Sequence, residues 1–296
     1  MLARILRIGA ALEVLAALAL IAVLVRVGLP GWLAVALGLL LPLALHGVLL
    51  AIEFVTGALV DRRPVARLSP WALARVWLGE TLRSFKVFNV DQPWRAGFAE
   101  PAIVRDAGRH AVLFIHGYLC NRAVWRPWLL EGGLAHRWNC ATVNLEPVFV
   151  GVDRYPDLIH AAVERLREAA GAERVTLVCH SMGGLAARAY LRVHGHHAVT
   201  HVITIDTPHH GTMFARLGHG ENTRQMRVAC DYVRKLAERD EPIEFICFAS
   251  QHDNLVIPRD GQILACAEAV WFERIGHMAM TDNDQVLRKL IEVVER

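Results

Sequence analysis

Ser181, Asp253 and His277 are residues whose types and order could carry out acyl transfer. A serine hydroxyl is a weak nucleophile at neutral pH. It needs a histidine to take its proton and a carboxylate to fix the imidazole tautomer and stabilise the imidazolium. Ser181 stands in Cys179-His180-Ser181-Met182-Gly183-Gly184, where a β-branched stretch stops abruptly and a helix-forming segment begins. A sharp strand-to-helix turn of this kind projects the hydroxyl from the sheet. Strand and helix nearly touch there, so small neighbours are required. Gly183 and Gly184 provide them on the helix side, while Cys179 stands where a glycine is usual.

The remaining parts follow other predicted strands. Upstream, 111–116 reads as a buried strand ending in His116-Gly117-Tyr118. Gly117 permits a tight turn and close approach to substrate. The backbone N–H groups of Tyr118 and Met182 could then form an oxyanion hole. Asp253 follows the strand 243–249 in a Pro258-terminated loop, and His277 follows the strand 269–275 after Gly276. Asp206, which closes the strand 200–206, and Asp260 are competing acids; the exposed loop at the C-terminal edge of the sheet favours Asp253. His252 is expected to point elsewhere.

These parts need a scaffold of alternating elements. Strands are predicted at 111–116, 139–145, 174–180, 200–206, 243–249 and 269–275, with helical patterns near 122–134, 156–170, 183–194, 228–239 and 283–295. Alternation of this kind implies an α/β fold with a mostly parallel sheet and helices on both faces. Phe149, after the second strand, is expected to contact substrate together with Gly117, and the polar connection 207–242 is expected to form a cap.

The front of the chain is different. Hydrophobic residues make up 54% of the sequence, and the excess lies in Ile8–Val25 and Gly31–Ile52. Each run is long enough to cross a bilayer, and Gly28 to Gly31 is a turn signal between them. The division is a transmembrane hairpin at 1–56, a juxtamembrane connector at 57–100 and a catalytic domain at 101–296. Arg4 and Arg7 precede the first run and Arg62, Arg63 and Arg67 follow the second, against Arg26 alone at the tip. This asymmetry predicts a multi-pass protein of the cytoplasmic membrane with its catalytic domain in the cytoplasm. Glu13 and His46 lie at similar distances from the tip and are candidate partners. Trp71 and Trp77 begin a short predicted helix suited to a bilayer interface or to the flank of the catalytic domain. The hairpin is expected to localise the protein without building its site, so a truncation starting near Ala66 should keep its activity on soluble esters.

The segment from about residue 101 to the end resembles the lipase/esterase branch of the α/β-hydrolase superfamily, close to compact bacterial triacylglycerol lipases. The matching residues are His116 to Tyr118, His180 to Gly184, Ile205 to Gly211, Asp253 and Gly276-His277. Ser, Asp, His is also the chain order of that superfamily. The resemblance implies an α/β-hydrolase fold with a minimal sheet of about six strands. It implies a serine hydrolase that cleaves carboxylic esters, lipid or short-chain acyl, through an acyl-enzyme. A thioesterase or acyltransferase would use the same triad; a non-catalytic membrane-tethered scaffold is the third reading. Some lipases of this group bind structural calcium, but no matching acidic set follows Gly211, so no metal or cofactor is expected.

Other features carry less. A formal charge of +3 is too small to suggest nucleic acid. Six cysteines show no metal-type spacing; Cys179 and Cys247 fall within strands and should be buried and reduced. Cys120 stands close enough to the oxyanion turn to line a pocket. His194, His196, His197 and His201 straddle a loop without acidic or cysteine partners, which argues against a metal site.

Overall fold

The computed structural model describes residues 1–61, 68–106, 108–237 and 242–296. Arg62, Arg63, Arg67 and Ala66 lie outside the described residues. Two long apolar helices come first, α1 (Leu2–Arg26) and α2 (Gly31–Val60). Both are long and apolar enough to cross a membrane by length and composition. They pack along each other, and Gly38 admits the Ile21 side chain where a Cβ would collide with it. Most of their surface stays uncovered, with Leu12, Leu15, Leu39 and Leu49 all exposed.

The predicted connector is largely helical. Its helix α3 spans Pro70–Lys86, starts at a Ser69 side-chain cap on the Ala72 N–H, and runs on through wider turns at Val87–Asp91 to Gln92–Trp94. This helix turns Glu80, Thr81, Arg83 and Ser84 inward and leaves Trp71, Leu73, Leu78 and Leu82 exposed. Trp77 donates its indole N–H to the Gly47 carbonyl at 2.8 Å and so fixes α3 to α2.

The region from Ala111 onward is built on a six-stranded, fully parallel sheet: β1 (Ala111–Ile115), β2 (Asn139–Val143), β3 (Val175–His180), β4 (Val199–Ile205), β5 (Glu244–Ser250) and β6 (Glu268–Phe272). Its order is β2-β1-β3-β4-β5-β6. The chain therefore leaves β1 in one direction and returns to β3 on the other side, and the C-terminal ends of β1 and β3 flank the switch point where open α/β sheets bind ligands. The predicted strands are all present within a few residues.

Side-chain alternation along the strands builds two cores. Leu113, Ile115, Leu177 and Cys179 pack with Ile159, Val163 and Leu166 of α4 (Pro156–Ala170) and Leu185 of α5 (Met182–His194). Val112, Phe114 and Val178 point to the other face. There they meet Trp125, Trp128 and residues Val286, Leu290 and Val293, which recur at helical spacing in the C-terminal helix Asp284–Val294. The helix predicted near 122–134 is instead three short pieces, Arg122–Trp125, Pro127–Glu131 and Leu134–Arg137. Pro127 and the pair Gly132-Gly133, with Gly133 left-handed, break its continuity. The helix predicted near 228–239 is described over Asp231–Ala237.

Candidate active site

Ser181 joins β3 to α5 with φ 54° and ψ −125°, a conformation that side-chain-bearing residues rarely adopt. Strain of this kind costs on the order of 1–3 kcal/mol and persists only where the surroundings enforce it. Here they do. The Ser181 N–H donates to the Ile205 carbonyl at 2.8 Å, and the Thr207 hydroxyl donates to the Ser181 carbonyl at 2.9 Å. A Cβ on Gly183 would lie 2.5 Å from the Ile115 carbonyl oxygen, and one on Gly184 would collide with Thr207. Glycine is therefore required on the helix side, while Cys179 is fully buried on the strand side.

The turn after β1 presses against the serine: a Cβ on Gly117 would lie 2.8 Å from the Ser181 Cβ. His116 fixes this turn. Its Nε2 accepts the Leu145 N–H at 3.0 Å, so Nδ1 carries the proton and donates to the Gly117 carbonyl at 2.9 Å. Burial pushes the His116 pKa down to about 4, which keeps the ring neutral in this role. Tyr118 lines the same cavity as Ser181. Met182 opens α5, where the first-turn N–H groups have no intrahelical partner.

His277 and Asp253 are brought together. The His277 Nδ1–H donates to Asp253 Oδ2 at 2.8 Å, and Asp253 Oδ1 accepts the N–H groups of Leu255 and Val256 at 2.6 and 2.8 Å. Asp206 is 3.9 Å from the same nitrogen and accepts the Ser250 N–H at 2.7 Å. Burial alone would raise the Asp253 pKa, but the His277 charge and these hydrogen bonds hold it below the usual carboxylate range. Burial, reinforced by the Asp253 charge, drives Asp206 well above that range and favours its neutral form. For His277, burial works against the charged ring, yet Asp253 outweighs it and the pKa is raised. The ring of His277 packs against His180 at 4.7 Å between centroids, and burial holds His180 well below the usual imidazole range. The ligand atoms of Asp206, Asp253 and His277 are near enough to receive a cation, but His277 Nδ1 is already committed to Asp253.

The N-terminal helices complete the surroundings, and this had no counterpart in the sequence reading. Glu80 of α3 accepts the N–H groups of Met278 and Ala279 at 2.8 and 2.9 Å. It sits against Gly276, where any Cβ would collide with it. Burial raises the Glu80 pKa against those two hydrogen bonds. Glu53 of α2 accepts the Asn254 amide at 2.6 Å, and Asn254 accepts the His277 N–H at 3.1 Å. Arg259 pairs with Asp61 in a buried contact at 3.3 Å. The expectation that the hairpin stands apart from the site is overturned: His46, Leu49, Leu50 and Glu53 of α2 line the cavity that contains Ser181 and His277. His46 bonds Ser84 at 2.9 Å, so its partner comes from α3, in place of the expected Glu13.

That cavity has a volume of about 300 Å³ and is mostly apolar. Phe214, Ala215 and Met226 of the connection after β4 close one side, while Arg216, Glu221, Arg224 and Arg227 face outward. Cys120 lines it. Phe149, expected to contact substrate, is not among the lining residues; its ring packs edge-on against Tyr118, which is, and against His219. His252 accepts the Arg274 N–H at 3.1 Å, away from the serine. His194 bonds Asp157 at 2.8 Å and stacks on His160, His201 faces Thr176, and the rings of His196 and His197 pack on each other at 4.7 Å.

A parallel sheet of this order with a strained serine after β3, an acid after β5 and a histidine after β6 defines the class: the chain has the α/β-hydrolase fold. Residues 110–220 match the family model described as alpha/beta hydrolase fold. No curated protein matches the sequence. Among solved structures, the chain is similar to the mature form of a Bacillus licheniformis lipase, at 16% identity and a TM-score of 0.58, over 66% of this chain and 96% of that one. It is similar to lipase B of Aspergillus fumigatus at 14% identity and a TM-score of 0.57, over 67% of this chain and 56% of that one. At these identities the likeness is one of fold.

Proposed function

We propose that this protein is a membrane-anchored serine hydrolase that cleaves carboxylic esters of lipid or short-chain acyl type through an acyl-enzyme. The observation that carries the reading is the 2.8 Å bond from His277 Nδ1 to Asp253, beside a strained Ser181 in the same cavity. With Nδ1 committed, the other ring nitrogen of His277 is the base. Ser181 Oγ attacks the ester carbonyl as His277 Nε2 takes its proton. The N–H groups of Tyr118 and Met182 receive the oxyanion. His277 then returns the proton to the departing alcohol, and a water activated by the same nitrogen releases the acid and restores Ser181.

The anchoring rests on length and surface. α1 and α2 hold 25 and 30 residues, and about 20 suffice to span a bilayer core. The outward Trp71, Leu78 and Leu82 of α3 give a third apolar surface beside them. The arginine asymmetry favours a cytoplasmic catalytic domain. A C-terminal reporter is expected to be active as a cytoplasmic fusion and inactive as alkaline phosphatase; the reverse would invert the topology. For the chemistry, full-length protein in detergent should hydrolyse p-nitrophenyl esters, and Ser181→Ala should not. Wild-type rates in a folded Ser181→Ala protein would defeat the assignment.

A further inference from the structure

We infer that α2 forms one wall of the acyl-chain site, so that the chain of the ester lies between the N-terminal hairpin and the cap. This rests on the serine-hydrolase reading of the same cavity. His46, Leu49, Leu50 and Glu53 recur at i, i+3, i+4 and i+7, which puts all four on one helical face, and all four line the cavity. The stripe Gly47, Leu50, Phe54 and Gly57 is buried on the neighbouring face. Gly47 lies against Trp77, and Gly57 against Ile257 and Arg259. The placement of α2 is therefore set by packing at both ends of the lining stretch.

The lining chemistry suits a hydrocarbon chain. Leu49, Leu50, Phe88, Leu119, Phe214 and Leu255 supply apolar surface around the opening that leads from Ser181. The polar groups on this wall are occupied by protein partners: His46 by Ser84, Glu53 by Asn254, and Glu80 by two backbone N–H groups. A volume of about 300 Å³ is at the lower edge of the roughly 300–1,000 Å³ of small-molecule sites. One acyl chain fits such a space, while the rest of a lipid must stay outside.

The position of the stripe also fits a membrane source. At about 1.5 Å per residue, the 30 residues of α2 extend some 45 Å, beyond a hydrocarbon core of about 30 Å. The lining stretch lies in the half of the helix that follows Pro42 and reaches the catalytic domain. Leu49 is exposed as well as lining, which places a cavity edge on the uncovered surface of α2, the surface that faces lipid if the hairpin spans the bilayer. An acyl chain can pass from the leaflet along this helix to Ser181 without crossing water.

Two measurements on the full-length protein test this. Leu50→Trp fills the wall; the ratio of kcat/KM for p-nitrophenyl octanoate over acetate should fall about tenfold or more, as expected when a pocket loses room for methylenes. A ratio unchanged in a folded variant overturns the proposal. The second readout does not depend on catalysis. A fatty acid with a photoreactive diazirine at its chain end, in phosphatidylcholine vesicles, should cross-link within residues 46–54 in wild type and equally in Ser181→Ala. Cross-links confined to residues after 110 overturn the α2 wall even if the serine chemistry holds. Cross-links to α2 together with full ester hydrolysis by Ser181→Ala would support the chain site and refute the nucleophile.

Discussion

The two walls of the cavity are held by different kinds of contact. On the sheet wall, Ser181 and the Gly117 turn are fastened mainly by backbone hydrogen bonds between parallel strands and by glycine-tight packing, with the His116 and Thr207 side chains added. On the N-terminal wall the fastenings are side chains: Glu80 on the 278–279 backbone, Glu53 on Asn254, Asp61 on Arg259 and His46 on Ser84. A strand ladder survives the loss of any one side chain, whereas a side-chain clamp can be cut one residue at a time. His277 stands where the walls meet, bonded to Asp253 from the sheet side and held through Asn254 and Glu80 from the other. The placement of Ser181 should therefore tolerate changes in the N-terminal helices that the placement of His277 does not.

The largest effects should come from the sheet wall. Ser181→Ala or His277→Ala should lower kcat for ester hydrolysis by about 10⁵–10⁶, leaving only what binding and the oxyanion donors provide. Asp253→Asn should cost less, on the order of 10⁴, because the ring stays in place while its tautomer is lost. Steady-state kinetics on a soluble p-nitrophenyl ester rank the three, and a rank order with Asp253 above Ser181 would break the assignment.

The clamps should matter less, but measurably. Glu80→Ala frees the Met278 and Ala279 N–H groups and should lower kcat by about a hundredfold, the scale of an ångström-sized misplacement of a catalytic group. Glu80→Gln keeps a carbonyl acceptor in place and should recover much of that loss. An alanine variant with wild-type kcat would mean that the sheet alone positions His277.

The smallest effect is a shift along the pH axis. Protonated His277 cannot act as base, so activity is absent below its pKa and appears as pH rises through it. That pKa is raised, so the acid limb of kcat/KM should lie above the ordinary imidazole range. Asp253→Asn removes the charge that outweighs burial and should move the His277 titration, followed by NMR, to lower pH. Glu80→Gln should move it in the same direction by less. Movement to higher pH in either variant would contradict the electrostatics.

What was legible in the sequence follows the same division. The six strands and the strand-to-helix turn at Ser181 rest on short-range pattern, a β-branched run ended by a turn, which local sterics enforce, and the loop after the fifth strand carries Asp253 to 2.8 Å from His277 Nδ1. The role of His116 in fixing Gly117 was not legible, because its bond to Leu145 joins the loops after β1 and β2, 29 residues apart, a pairing that no local pattern encodes. Helix α3 read as a short piece because it is reversed, with Glu80, Arg83 and Ser84 buried and Leu78 and Leu82 outward. Polar residues at its core positions hide the amphipathic period. The apolar run ends at Ile52, but the helix continues to Val60 and carries Glu53 beyond it. The available signal was the spacing of His46 and Glu53, seven residues apart and so on one face of an apolar helix.

The most direct test of the account is covalent. Full-length protein in detergent is treated with a small alkyl fluorophosphonate, and the adduct is located by peptide mass spectrometry. A single adduct is expected on Ser181, formed faster as pH rises through the His277 pKa, lost in Ser181→Ala and strongly slowed in His277→Ala. Absence of labelling in folded wild-type protein, or an adduct on another residue that persists in Ser181→Ala, would contradict it.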